Sequence, residues 1–232
     1  MSNQPQGYPA DAGANSYLLT VRGKIAPKTL DEARQVHNTT AGAPASIEGA
    51  RSLGDLSHNV FSGKNDVLKD ELLFIDIWNS PSGLGMFFAN HDVQKSAEML
   101  FASREGVVWA PLAGAAGFNL LVPSSKAVKG IGLLRTKVTS LDAASTAFTK
   151  YAGTIINRAR RSGLVSHTTW TRVPNSGEEI GPEVISVDRW MDSDEMERYY
   201  ETRLGFEHLG PVFAGEPITS AWLEAPGQWN EW

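Results

Sequence analysis

Two histidine–aspartate pairs are the strongest candidates for catalytic residues in this chain. His58 lies in a short apolar stretch and Asp76 in the next one, and His167 and Asp188 repeat this order in the second half of the sequence. A neutral imidazole is a suitable general base near neutral pH, and a carboxylate beside it fixes its tautomer. The structural alternative is a strand histidine satisfied by a neighbour and a hydrogen-bonded acid, since an unpaired buried carboxylate is costly.

The same spacing recurs in other motifs and indicates a tandem duplication. Matched motifs stand between 109 and 113 residues apart: His58 with His167, Asp76-Ile-Trp78 with Asp188-Arg-Trp190, Phe101-Ala102 with Phe213-Ala214, and Trp109 with Trp222. A period of this length is too long for a solenoid and marks two similar domains. We expect a disordered lead-in at 1–15, a first unit at 16–113, a linker at 114–127 and a second unit with the C-terminal tail at 128–232.

Each half is predicted to contain a strand, a helix, two strands, a helix and a strand. In the first half, apolar and β-branched stretches predict strands at 17–25, 56–61, 72–78 and 107–109. A first helix is expected over 30–53 with an interruption at Gly42-Ala43-Pro44, and a second over 82–91 after the capping Asn79-Ser80-Pro81. This order is that of a ferredoxin-like α+β unit. The aromatic tail Gln228–Trp232 is expected to pack against the fold.

These motifs resemble the antibiotic-biosynthesis monooxygenase-like domain of the dimeric α/β-barrel superfamily. The matching stretches are Phe74–Ser80 with Phe87-Phe88 and His91, and Val187–Asp192 with Tyr199-Tyr200. The resemblance implies two tandem ferredoxin-like units packed sheet to sheet as an intramolecular barrel, with the helices outside. The superfamily includes cofactor-free monooxygenases, haem-degrading and haem-binding enzymes, lactone isomerases, cyclases and proteins with no known activity, so the fold alone does not give the reaction.

The first unit is the predicted location of a catalytic pocket. It contains His37, His58 and His91 where the second unit has Phe148, His167 and Arg203. We expect His58 to take a proton from the substrate, Asp76 to orient His58, and His91 to converge with them. The predicted substrate-binding residues are Trp78, Phe87, Phe88, Trp109, His167, Asp188, Trp190, Tyr199 and Trp222. In the alternative interpretation, His91 ends its helix and faces solvent, and the tryptophans only fill the core.

The resemblance and the aromatic residues favour a cofactor-independent monooxygenase-like enzyme that acts on an aromatic or polyketide-like substrate. One alternative is a non-catalytic small-molecule-binding or structural α/β-barrel protein. A second is a haem-binding member of the superfamily, with His167 or His208 as the iron ligand. No metal site is expected, because the five histidines are scattered and there is no cysteine.

Composition limits the other function classes. The net charge of −5 does not favour nucleic acid as a partner, and the apolar stretches are too short to span a membrane. The absence of cysteine fits a cytoplasmic protein. We therefore expect a small apolar or aromatic molecule as the partner. Because the barrel is expected to close within one chain, a monomer or weak homodimer is predicted.

Overall fold

The computed structural model describes residues 16–120, 128–175, 177–202 and 206–232. The expected lead-in at 1–15 and the end of the expected linker, 121–127, lie outside the described residues. The described chain forms two compact units. Unit 1 contains residues 16–108 and the tail Glu224–Trp232, and unit 2 contains Trp109–Leu223.

Unit 1 is built on an antiparallel sheet with helices against it. Its elements are β1 (Tyr17–Ile25), α1 (Leu30–Thr39), α2 (Pro44–Ser52), β2 (Asp55–Gly63), β3 (Glu71–Trp78), α3 (Pro81–Ala89), α4 (His91–Leu100) and β4 (Phe101–Pro111, of which 101–108 belong to this unit). The strand order is β4–β1–β3–β2. The central strand β3 is buried along nearly its whole length, which explains why its sequence is apolar at both odd and even positions.

The predicted interruption of the first helix is confirmed. The Thr29 side chain caps the start of α1, and the helix ends at Thr39. Pro44 begins α2, at a helical position where its missing N–H is tolerated. Gly42 lies between the two helices, and a Cβ atom there would be 2.8 Å from Cε1 of His37. The break therefore brings the backbone close to the His37 ring, which only glycine permits.

The predicted second helix over 82–91 is wrong in its C-terminal part. The helix α3 ends at Ala89, and Asn90 caps a separate helix by accepting a hydrogen bond from the Asp92 backbone N–H. His91 is therefore the first residue of α4, and the interpretation of His91 as a cation at a helix C-terminus is also wrong. The strand expected at 107–109 begins earlier, at Phe101.

Unit 2 repeats the arrangement with additional short elements. They are β5 (Phe118–Asn119), β6 (Gly130–Lys137), α5 (Leu141–Arg161), β7 (Leu164–Arg172), β8 (Glu183–Trp190), α6 (Ser193–Glu201), α7 (Phe206–Leu209), a 3₁₀ turn at Gly210–Val212 and β9 (Ile218–Glu224). Its strand order is β9–β6–β8–β7–β5. The predicted fold class, α+β with two tandem ferredoxin-like units, is confirmed.

The main difference between the units is the first helix. In unit 2 it is one continuous helix of 21 residues, α5, whereas unit 1 has two helices of 10 and 9 residues. Phe148 and Tyr151 of α5 are buried in the core of unit 2 together with Trp190 and Tyr199. Within the described ranges, no helix is long and apolar enough to cross a membrane.

Candidate functional site

The His58–Asp76 pair is formed by two neighbouring strands of unit 1. His58 of β2 lies directly opposite Asp76 of β3 in the antiparallel register, so both side chains point to the same face of the sheet. His58 Nδ1 is 2.7 Å from Asp76 Oδ1, and both residues are buried. The prediction that Asp76 is buried and hydrogen-bonded is confirmed.

A second acid, Asp55, reaches the same face because of a β-bulge. Residues three apart in a regular strand point to opposite faces, but β2 has a register shift between Asp55 and Ser57. The extra residue places Asp55 on the side of His58, and both line one cavity. Asp55 is buried, and its carboxyl accepts a hydrogen bond from the Ser57 backbone N–H at 3.2 Å.

His37 extends the His58–Asp76 pair towards α1. Its Nε2 atom is 3.0 Å from Nε2 of His58, and the two ring planes lie within 8° of each other. On the other side of the His37 ring, Nδ1 is 2.9 Å from Oδ1 of Asn38. Asp76, His58, His37 and Asn38 therefore form one continuous hydrogen-bonded row from the sheet to the helix.

Burial keeps this group in its neutral forms. It lowers the pKa of His37 to about 3, with a further decrease from the neighbouring His58, and lowers the pKa of His58 to about 4. Burial also raises the pKa of Asp55 to about 9, with an additional contribution from Asp76, and raises the pKa of Asp76 well above its usual range. At neutral pH the site therefore combines a protonated Asp55 with two uncharged imidazoles, and burial favours the protonated form of Asp76 as well.

Asp55, His58 and Asp76 line a cavity of about 480 Å³ between the sheet and the helices of unit 1. They are its buried polar residues, and Asn90, Asp92 and Arg104 line it from exposed positions. Most of the remaining wall is apolar and comes from β1, β3, α3, α4, the start of β4, the segment 40–53 around α2, and Trp232 of the tail. The larger side chains of that wall are Val21, Leu53, Phe74, Phe87, Phe88, Val93, Leu100 and Phe101.

The tail of unit 1 covers His58 from the other side. The Trp232 ring stacks on the His58 ring with 4.6 Å between centroids. The two residues also exchange backbone hydrogen bonds, from His58 N–H to the Trp232 carbonyl at 2.7 Å and in the reverse direction at 3.2 Å. The Glu231 carboxylate accepts a hydrogen bond from the Val60 N–H at 2.6 Å. The prediction that the tail packs against the fold is confirmed.

Of the residues predicted from sequence, the structure brings His58, Asp76, Phe87 and Phe88 together at this cavity. His91 is not among them, because its side chain is 91% exposed at the start of α4. Trp78 is buried behind Phe87, with 5.3 Å between ring centroids. The other predicted tryptophans, Trp109, Trp190 and Trp222, are fully buried in unit 2.

Three residues of the site were not predicted from the sequence: His37, Asp55 and Trp232. For His37 and Asp55, the signal was the difference between the two repeats. Unit 2 has Phe148 and Leu164 at the matching positions, and both are buried in its core. A buried position that is apolar in one copy and ionisable in the other indicates a role other than packing.

Unit 2 keeps the histidine–aspartate pair but surrounds it with large side chains. His167 Nδ1 is 2.5 Å from Asp188 Oδ1, and the Tyr200 hydroxyl donates to Asp188 Oδ2 at 2.6 Å. The Tyr151 ring packs 5.9 Å from the His167 ring. A Cβ atom on Gly132 would fall 2.2 Å from the Tyr200 hydroxyl oxygen, so glycine makes room for this tyrosine. In unit 2 the pair is part of a packed core.

Solved structures resemble this chain over about nine-tenths of its length. An anthrone oxidase-like protein superposes with a TM-score of 0.64 at 16% identity, over 91% of this chain and 91% of its own. A proposed monooxygenase from Lactobacillus acidophilus gives 0.59 at 13%, over 90% and 93%. A mutant chlorite dismutase from Candidatus Nitrospira defluvii gives 0.53 at 9%, over 92% and 93%.

The chain has the fold of the dimeric α/β-barrel superfamily. The fold that the sequence motifs imply is thereby confirmed. No protein-family model matches the sequence, and no curated protein matches it. At these identities the likeness establishes the fold of this dimeric α/β-barrel protein, and its chemistry must be argued from its own residues.

Neither strand histidine of this dimeric α/β-barrel protein is accessible to haem iron as it stands. His167 is 1% exposed, with one ring nitrogen on Asp188 and Tyr151 packed beside it. Both ring nitrogens of His58 have partners. His208 lies next to Glu207 in the short helix α7. Within the described residues, no group of three or more His, Asp or Glu side chains is placed to hold one metal ion.

We expect Tyr200→Phe to lower the free energy of unfolding by about 1–2 kcal/mol, the usual effect of losing a buried hydrogen bond. The lost bond is the one that the hydroxyl donates to Asp188. Urea unfolding measures the change. Tyr17→Phe is the matched control, because the Tyr17 hydroxyl makes no hydrogen bond with the described residues, and it should leave stability unchanged. Equal stability of both variants would show that the Tyr200–Asp188 bond contributes little.

We expect stability to fall as the pH rises from 6.5 to 9. The folded pKa of Asp55 is raised from 3.8 to about 9, so its contribution is complete below 3.8 and is lost as the pH rises through 9. His37 and His58 have lowered pKa values, so their contribution is complete above 6.5 and does not oppose this fall. Urea unfolding at both pH values tests the slope. Asp55→Asn, which resembles the protonated acid, should reduce the slope, and the part that remains comes from Asp76, whose pKa burial also raises. An unchanged slope would contradict the assignment.

Proposed function

We propose that this protein is an oxygenase that uses no organic cofactor and oxidises an aromatic or polyketide-like substrate in the cavity of unit 1. One observation supports this most directly. The His58–Asp76 pair and the acid Asp55 meet at an apolar cavity in unit 1, whereas the equivalent pair in unit 2 is packed against tyrosines. A perturbed acid and base in a cavity are the usual features of a catalytic site.

The cavity suits a flat, mostly apolar molecule with an oxygen at one end. Its volume of about 480 Å³ lies within the range of roughly 300–1,000 Å³ that small-molecule sites occupy. Phe74, Phe87 and Phe88 provide aromatic faces against which fused rings pack well. Asp55, His58 and Asp76 are the buried polar residues of its wall, so a hydroxyl or ketone of the substrate is expected beside them.

Asp76 is the group placed to accept the substrate proton, with His58 behind it. Both ring nitrogens of His58 are bonded, to Asp76 and to His37, so His58 would have to break a bond to reach substrate directly. Instead, Asp76 accepts the substrate proton on its second carboxyl oxygen, Oδ2. It then passes the proton that lies between Oδ1 and His58 to the Nδ1 atom of His58. The products of this step are a substrate carbanion, neutral Asp76 and a positive His58. The sequence-based roles of His58 as base and Asp76 as orienting group are revised accordingly.

The oxidation then needs only molecular oxygen. For a substrate with a methylene group between two aromatic rings, the balance is R₂CH₂ + O₂ → R₂C=O + H₂O. The carbanion supplies the electrons and forms the new C–O bond, one oxygen atom stays on carbon, and the other leaves as water with two protons. The apolar wall excludes water, so the carbanion survives until oxygen reaches it.

Asp55 has a separate role as a neutral hydrogen-bond donor. A carboxyl group whose pKa is raised to about 9 is protonated at neutral pH, and it can donate to a substrate oxygen on which negative charge develops. Charge delocalised from the carbanion onto a ketone oxygen is such a target. Asp55 therefore lowers the energy of the deprotonated substrate without taking its proton.

Oxygen uptake with anthrone tests the proposal, because anthrone has a methylene group between two aromatic rings and a ketone opposite it. We expect the purified protein to consume one O₂ for each anthraquinone formed, above the uncatalysed rate and without added flavin, metal or reductant. A visible spectrum of the same sample shows whether haem is bound. Binding of anthrone without oxygen uptake would favour the non-catalytic alternative, and a Soret band would favour the haem-binding one.

A further inference from the structure

The orientation of the Asn38 side chain is fixed by two backbone groups of the tail. Its amide NH₂ donates to the Gln228 carbonyl at 2.8 Å, and its Oδ1 accepts a hydrogen bond from the Asn230 backbone N–H at 2.9 Å. A backbone carbonyl only accepts and a backbone N–H only donates. The two ends of the amide therefore cannot be exchanged, and the oxygen must face the N–H of Asn230.

This orientation determines which nitrogen of His37 carries the proton. The same Asn38 oxygen is 2.9 Å from His37 Nδ1. An amide oxygen has no proton to give, so His37 Nδ1 must be the donor. Because burial keeps His37 neutral by lowering its pKa to about 3, its other nitrogen, Nε2, has no proton and is an acceptor.

The next bond in the row follows from the same rule. His37 Nε2 accepts, and it is 3.0 Å from His58 Nε2. His58 Nε2 must therefore carry a proton and donate it. The Nδ1 atom of His58 then faces Asp76 Oδ1 at 2.7 Å, and a single proton can lie between these two atoms. In the usual catalytic dyad a neutral imidazole donates its Nδ1 proton to a carboxylate. Here the proton of His58 is on Nε2, so a neutral His58 cannot donate from Nδ1.

We propose that Asn38 and His37 are positioning residues that set the tautomer of His58. With its own proton on Nε2, His58 accepts at Nδ1, so Asp76 supplies the proton between them and faces the cavity as a neutral acid. Asn38 and His37 touch neither the substrate nor oxygen, and they act through His58. The tail takes part because it holds Asn38. The consequence for catalysis rests on the proposed oxygenase function, but the proton positions do not.

Unit 2 provides an internal comparison. It has Phe148 at the position of His37, so His167 has no equivalent neighbour to fix its tautomer. Asp188 accepts from Tyr200 on one oxygen and lies 2.5 Å from His167 Nδ1 on the other. His167 should therefore carry its proton on Nδ1, the opposite of the arrangement in His58.

Nitrogen NMR of protein labelled with ¹⁵N at histidine tests the proposal, because protonated and bare ring nitrogens resonate far apart. In the wild-type protein near neutral pH, we expect His37 to be protonated at Nδ1 and His58 at Nε2, while His167 is protonated at Nδ1. Single His→Gln variants assign the signals. A wild-type His37 protonated at Nε2, or a His58 protonated only at Nδ1, would overturn the proposal without any variant being needed.

Two substitutions of Asn38 separate positioning from folding. Asn38→Ala removes the acceptor, so His37 can move its proton to Nε2, and the His58 signals should move towards the Nδ1-protonated form. Asn38→Asp keeps an oxygen for His37 Nδ1–H and should keep the wild-type pattern. His167 should not change in either variant. An unchanged pattern in a folded Asn38→Ala protein would refute the role of Asn38. Because no substrate is used, this result is independent of whether oxygen uptake is found.

Discussion

Replacing Asp76 with asparagine should reduce oxygen uptake by about 100-fold or more, within the usual contribution of a general base. The amide has the shape of the protonated carboxyl but cannot accept a substrate proton and pass another to His58. The fold should be retained, because the substituted amide can still place a hydrogen-bonding group opposite His58 Nδ1, where the carboxyl now lies at 2.7 Å. The initial rate of oxygen consumption at saturating substrate is the measurement.

Asp188→Asn is the matched control, because it makes the same chemical change in the equivalent pair of unit 2. It should leave the oxygen-uptake rate within about twofold of wild type. If both variants lose activity equally, the effect is on folding or on both units, and the assignment of chemistry to unit 1 is wrong. If only Asp188→Asn is inactive, the working site lies in unit 2.

Replacing Asp55 with leucine should make the protein more stable and less active at once. Leucine is the residue that unit 2 carries at this bulge, where Leu164 is buried in the core. Removing a buried carboxyl group whose pKa is raised to about 9 should increase the free energy of unfolding by about 1–3 kcal/mol. The same change removes the donor proposed for the substrate oxygen, so oxygen uptake should fall by at least about tenfold.

Thermal unfolding at pH 6.5 and pH 9 identifies the cause of the increased stability. The difference between Asp55→Leu and the wild type should be larger at pH 9, because the wild-type Asp55 carboxyl ionises there. Asn59→Leu is a useful control, because Asn59 is a neighbouring polar residue of β2 that points away from His58. A destabilised Asp55→Leu protein would show that Asp55 contributes to folding. A stabilised protein with full activity would show that Asp55 has no part in the reaction.

The paired strands and their dyads could be predicted because strand periodicity and the duplication both constrain them. His58 and Asp76 occupy matching positions in two copies, and a mid-strand acid requires a partner. Asp55 could not be placed on their face, because a bulge changes which residues share a face and leaves little trace in the hydrophobic pattern. The difference between Asp55 and Leu164 was visible in the sequence, but only once their shared register was known.

The error at His91 came from local signals. Phe87, Phe88 and His91 fit one helix by spacing, but Asn90 followed by Asp92 is also typical of a helix start. A new helix starts here because the Asn90 side chain accepts a hydrogen bond from the Asp92 N–H, one of the free backbone N–H groups in the first turn of α4. The aromatic residues of the tail predicted that it packs against the fold, but the residues that it contacts could not be predicted. No local pattern links Asn38 with Gln228, which are 190 residues apart in the chain.

That separation also sets when the candidate site becomes complete during synthesis. A chain is made from its N-terminus, and domains fold largely in that order. The strands that carry His58 and Asp76 emerge early, but Trp232, which stacks on His58, is made only after all of unit 2. In a chain that is still being translated, His58 therefore lacks the Trp232 ring that stacks on it, and Asn38 lacks the backbone groups that fix its side chain. The candidate site is therefore complete only after unit 2 and the tail that follows it have both been translated.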